Sequence, residues 1–134
     1  MATRKITFDP DAGVPVASNL TIYGGTDFKA TFNVVDVANA GYQFTDEWIV
    51  QSQMIKSAGI GATTVPTAEF TAGINTITNQ ITLDLPKATT GIITEGRYEY
   101  NVLVTTPLSS GITTVYNIIN GNILVYPVIT SFSS

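Results

Sequence analysis

From Phe28 onward the chain alternates residue by residue, with Phe28, Ala30, Phe32 and Val34 set against Lys29, Thr31 and Asn33. Successive side chains of an extended strand point to opposite faces, so this stripe puts one face in a core and the other in water. The same period returns further along. Trp48, Val50, Ser52 and Met54 alternate with Ile49, Gln51, Gln53 and Ile55. Ile77, Ile81, Leu83 and Leu85 share one parity against Thr78, Gln80, Thr82 and Asp84, and Pro86, which lacks a ladder N–H, ends that run. Tyr98, Tyr100, Val102 and Val104 form the inward parity of another strand, opposite Glu99, Asn101 and Leu103. No window sustains a helical period, so the fold class is all-β.

The breaks between these stripes set the architecture. Asp9-Pro10-Asp11-Ala12-Gly13 is a turn between short strands at Lys5 to Phe8 and Ala17 to Tyr23, and Ser57 to Pro66 is a loop too poor in large side chains to hold a core. Lys87 to Ile93 reads as one helical turn or a tight corner closed by Gly96, and Thr106 to Gly111 as a hairpin tip. The last strand begins near Ile112 and runs to Ile129, with Asn120-Gly121 read as a bulge in preference to a two-residue hairpin. That makes about seven or eight strands, enough for an antiparallel two-sheet sandwich. At 134 residues the chain holds one core, assigned to residues 16–134. Residues 1–15 are expected to form an N-terminal arm that adds to a neighbour.

Composition then bears on partners. Only 12% of residues are charged while 44% are hydrophobic, about half the charge of an ordinary soluble domain. A surface so poor in charge implies burial against other subunits, as a homo-oligomer or a multi-copy component of an assembly. Apolar residues on both parities at Val102-Leu103-Val104, Val115-Tyr116 and Ile118-Ile119 point the same way, because a sheet covered on one face should alternate cleanly; the packing of this sheet on another subunit is favoured over edge irregularity and a short buried flank. The six basic residues are scattered and the net charge is −4, which leaves no cationic stripe for nucleic acid. The first ten residues run into Asp9-Pro10 without an apolar h-region, and the Ile118 to Ile129 stretch is interrupted by Asn120-Gly121-Asn122, so neither a secretory signal nor a membrane span is read. Without cysteine, folding needs no oxidising compartment, which suits assembly in a reducing cytoplasm.

Chemistry has few places to sit. The absence of histidine removes the commonest general base and most transition-metal sites. Carboxylates remain at Asp36, Asp46, Glu47, Asp84, Glu95 and Glu99, mostly beside turns or on outward parity, where a solvated charge is the ordinary reading. Asp9 to Gly13 resembles the start of a calcium loop, but Gly13 and Leu20 stand where ligands are required. Gly24-Gly25-Thr26-Asp27 lacks the Lys-Ser/Thr ending of a phosphate loop. The expectation is a non-catalytic protein with no catalytic residues, no cofactor and no metal. As an alternative, Tyr23, Tyr42, Phe44 and Trp48 are close enough in sequence to make a sugar-stacking platform of a carbohydrate-binding or adhesion module, against a core-packing role for the same rings.

Five segments, taken in order, carry a resemblance: Leu20 to Phe32 (LTIYGGTDFKATF), Trp48 to Lys56 (WIVQSQMIK), Ile81 to Thr90 (ITLDLPKATT), Gly96 to Val102 (GRYEYNV) and Gly121 to Thr130 (GNILVYPVIT). Together they resemble the immunoglobulin-like β-sandwich modules of tailed-phage virion proteins, such as the N-terminal domain of baseplate upper proteins and neck, tail and fibre-associated proteins. The match spans about residues 17 to 130 and departs in the longer Ser57 to Pro66 loop and in the N-terminal extension. The resemblance implies an immunoglobulin-like fold and a virion structural role, docked on other virion proteins. Beside the resemblance, Leu85-Pro86 ends one strand and Ala88 to Ile92 makes a corner, so Tyr98 or Tyr100, entering the next strand, is expected to be a corner tyrosine whose hydroxyl bonds upstream backbone.

Overall fold

The computed structural model describes residues 4–11, 14–56, 67–107 and 111–128. Two sheets pack face to face. Sheet A has the order β1 (Arg4–Thr7), β4 (Phe28–Val35), β8 (Gln80–Leu85), β7 (Thr71–Asn75). Sheet B has the order β2 (Val16–Ala17), β10 (Val115–Tyr126), β9 (Gly96–Thr105), β5 (Ile49–Lys56), β6 (Ala68–Glu69), and β3 (Leu20–Tyr23) also pairs with β10. The all-β sandwich is therefore the architecture of the chain.

The alternating stripes are what join the sheets. From sheet A come Ile6, Phe28, Ala30, Phe32, Val34, Ile81, Leu83 and Leu85, and from sheet B Leu20, Ile22, Met54, Tyr98, Tyr100, Val102, Val104, Ile123 and Val125, all buried in one core. Burial of a side chain such as Phe32 contributes about 2–3 kcal/mol by transfer from water. Ile77 is the exception within the predicted stripe. It stands almost fully exposed, because β8 starts at Gln80 and residues 76–79 form the turn from β7, with Asn79 at φ 57.

The sheets are mixed, which corrects the expectation of a purely antiparallel sandwich of seven or eight strands; ten strands lie among the described residues. β1 runs parallel to β4, and β2 and β3 run parallel to β10. The cause is a double crossing between layers. β1 ascends beside β4 in sheet A, and the chain then reverses into sheet B and descends beside β10 before returning to β4 through the Gly24–Asp27 turn. On the other side β6 pairs with β5 in sheet B and β7, one residue later, with β8 in sheet A. Both lateral margins are thus bridged by chain that changes sheets, which shortens the open edges a sandwich would otherwise present.

Residues 4–8 of the expected arm lie inside this body. Ile6 and Phe8 are core residues, and the Phe8 N–H donates to the Val35 carbonyl at 2.8 Å. Apolar side chains at alternate positions six and eight complete the stripe of β4, so the packing continues the sandwich to Arg4.

β10 is one long strand across Asn120-Gly121, as read, but its bulge falls earlier, where the register with β9 shifts between Asn117 and Ile119. The glycine has a different task. A Cβ on Gly121 would lie 2.3 Å from the Ser18 carbonyl oxygen, because the Ser18-Asn19 jog between β2 and β3 presses on β10 there. Asn19 closes the interrupted ladder with its side chain, Oδ1 accepting from the Asn122 N–H at 3.0 Å, and the Tyr100 hydroxyl donates to Ser18 O.

The corner after β8 is a single helical turn, α1 (Lys87–Thr90). Its first N–H, that of Lys87, donates to Asp27 Oδ1 at 2.9 Å, and the buried Thr90 hydroxyl donates to the Thr26 carbonyl at 2.7 Å. Two distant turns are tied together by these bonds. Tyr98 then sends its hydroxyl to the Thr94 carbonyl four residues upstream, so it is the corner tyrosine, while Tyr100 reaches the β2–β3 jog.

Candidate interaction surfaces

The four rings considered as a sugar platform do not form one. Tyr42, Phe44 and Trp48 gather at the end of the sandwich where β4 stops, and Tyr23 lies at the opposite end, as the last residue of β3. The loop after Val35 brings the first three together. Asp36 Oδ1 accepts from the N–H groups of Ala38 and Ala40, Asn39 takes φ 66, and the chain turns back so that the Tyr42 N–H donates to Val34 O. The rings then pack with each other and with Phe8, whose centroid is 4.8 Å from Tyr42, 5.3 Å from Tyr116 and 6.5 Å from Trp48. Phe44 is buried, and Tyr42 and Trp48 are half-buried. Burial, with Tyr116 adding to it, holds the Tyr42 hydroxyl above its ordinary pKa. The cluster is an end-cap of the core whose faces are spent on one another.

Tyr23 instead stacks on Tyr126 at 5.3 Å with an 11° angle between rings. Both are exposed, as are Leu124 and Val128 beside them. Gly24 brings the turn against this patch, since a Cβ there would sit 3.0 Å from both Tyr126 O and Val128 Cγ2. The sequence flagged Tyr23 alone; Leu124 and Tyr126 carry the outward parity of β10, which could have revealed their company.

This patch closes one end of the outer face of sheet B. Across its middle run Gln51 and Gln53 from β5, Asn101 from β9, and Asn117, Asn120 and Asn122 from β10, with a shallow groove bounded by Gln53, Glu99, Asn101, Asn117 and Asn120. Ile49, Leu103 and Val115 stand at the far end. Charged side chains on this face among the described strands are Glu69, Arg97 and Glu99. The apolar pairs on both parities divide in two. Ile118 and Ile119 are both buried because the bulge turns consecutive side chains inward, so that signal belongs to the chain's own core. Leu103 and Val115 remain on the outer face.

The carboxylates stand apart. Asp9 accepts from Asp11 N–H, Asp36 from Ala38 and Ala40, and Asp27 from Lys87, all as turn or corner supports, while Asp46, Glu47, Glu95 and Glu99 are exposed. Among the described residues no three His, Cys, Asp or Glu side chains gather. The Lys56 ammonium lies 4.9 Å over the Tyr98 ring. No protein-family model matches the chain, and no curated protein matches it.

Proposed function

We propose that the chain is a non-catalytic structural protein of a tailed-phage virion, a baseplate, tail or neck component of immunoglobulin-like type present in several copies. On this reading it assembles in the host cytoplasm and acts by docking on other virion proteins and on copies of itself. The observation that supports it is the outer face of sheet B, where a stacked tyrosine pair, Leu124 and Val128, a carboxamide band and a second apolar cluster span a full sheet with few charges. Such a face carries the aromatic anchors and charge depletion of an interface core, and a stable contact needs about 800 Å² from each partner.

The test has two parts. Light scattering of the purified protein should give a mass of several copies, and Leu124→Lys with Tyr126→Ser should lower that mass while leaving the circular dichroism spectrum intact. Mass spectrometry of purified phage particles should find the chain as a constituent. A monomer at high concentration that is also missing from particles would overturn the reading.

A further inference from the structure

We propose that β1 is an exchangeable strand, and that in the assembly the Arg4–Phe8 segment of one copy fills the slot beside β4 of a second copy. The exchange rests on the multi-copy reading above, since it requires copies held side by side.

Within the sandwich this segment is held on few sides. Among the described residues β1 has β4 as its only strand partner, in parallel register from Arg4 opposite Phe32 to Thr7 opposite Val35. Beyond that pairing the Arg4 guanidinium donates to Asn19 O at 3.3 Å, and two inward side chains anchor the segment, Ile6 entering the core and Phe8 set among Tyr42, Trp48 and Tyr116. The segment is a short strand ending in an aromatic plug. Its removal would leave the edge of β4 unpaired over Phe32–Val35 and open the ring cluster at its centre, a slot whose apolar spacing is that of this chain's own residues 6 and 8.

The connector to the rest of the domain is short, and a proline stands near each of its ends. It reads Asp9-Pro10-Asp11-Ala12-Gly13-Val14-Pro15, with both prolines fixing φ, the Asp9 carboxylate bonded to the Asp11 N–H, and Val14 left 73% exposed. It must reverse the chain from sheet A to sheet B to let β1 and β2 occupy the same molecule. Short hinges of this kind favour exchange of an identical element, because a second copy reproduces every contact and releases the reversal. Copies fixed next to one another supply the effective concentration that a tether otherwise provides.

The chain has no cysteine, so an introduced pair reports without interference. Lys5 and Asn33 are register partners on the outer side of sheet A. A size-tagged Lys5→Cys copy and an untagged Asn33→Cys copy, unfolded, mixed, refolded at high concentration and oxidised, should give a disulfide-linked species of mixed mass. The single chain carrying both substitutions should give covalent oligomers. Closure of the double variant only within one chain, with no mixed species, would overturn the proposal. A second readout needs no disulfide: Pro10→Gly with Pro15→Gly relaxes the hinge and should shift the light-scattering mass toward monomer, and an unchanged mass counts against exchange. If oligomers persist without any inter-chain link, the assembly reading stands and the exchange alone falls.

Discussion

Replacing Gly121 with alanine puts a methyl carbon 2.3 Å from Ser18 O, 2.8 Å from the Ser18 carbonyl carbon and 3.1 Å from Asn19 Oδ1. Two backbones meet here, so no side chain can swing aside and either β10 or the β2–β3 jog must retreat by roughly 1 Å to reach ordinary contact. Overpacking that moves backbone costs about 1–3 kcal/mol. The retreat also loosens the bonds from Tyr100 to Ser18 O and from Asn122 to Asn19 Oδ1, at about 0.5–1.5 kcal/mol each. Against this stands the lower unfolded-state entropy of alanine, which returns about 0.4–1 kcal/mol. The net is a loss of about 2–4 kcal/mol, or a fall in Tm of roughly 10 °C for a chain of this size. Urea and thermal unfolding followed by far-UV circular dichroism measure it. Gly73→Ala is the control, because its Cβ would meet nothing closer than Thr82 Oγ1 at 3.7 Å. If Gly121→Ala unfolds within about 0.5 kcal/mol of Gly73→Ala, the scatter expected between independent sites, the close approach is not what selects glycine.

Thr90→Val keeps the volume of a fully buried side chain but strips the Thr26 carbonyl of its donor, and should cost about 1–3 kcal/mol in urea unfolding. Tyr98→Phe removes the corner bond to Thr94 and should lower Tm by a few degrees, about 1 kcal/mol, whereas an unchanged Tm would show that the bond carries no stability. Burial pushes the Tyr100 hydroxyl up to about 12, outweighing the Ser18 hydrogen bond and Arg4, which lower it. Its folded value lies above its unfolded value, so its contribution is complete below pH 10 and is lost as pH rises toward 12; Tyr100→Phe should flatten that part of a stability-against-pH curve.

The core was legible where one face is buried and the other wet. The stripes Phe28 to Val34, Ile81 to Leu85 and Tyr98 to Val104 all face inward as alternation requires, because a register slip would invert each of them. What alternation does not encode is which strands are neighbours. The parallel pairing of β1 with β4 and the passage of β6 and β7 from one sheet to the other depend on contacts between distant segments, and Thr71–Asn75 has only Ala72 and Ile74 as a weak signal. The ring cluster was half visible: Tyr42, Phe44 and Trp48 are close in sequence, but Phe8 and Tyr116 reach them only through the fold. The sequence places a bulge at Asn120-Gly121 because nothing local reveals that the Ser18 backbone passes over Gly121.

The bulge in β10 gives that strand two phases. Tyr116 and Ile118 face inward on one count and Ile119, Ile123 and Val125 on the other. Loss of a single codon inside a strand ordinarily turns everything beyond it inside out. Excision of Ile118 would merge the two phases and leave each remaining side chain of β10 on its present side, at the cost of one buried isoleucine, whereas excision of Asn122 would send Ile123 and Val125 into water. Length variation in this strand is therefore survivable at one position, and that position is where the chain already carries its spare residue.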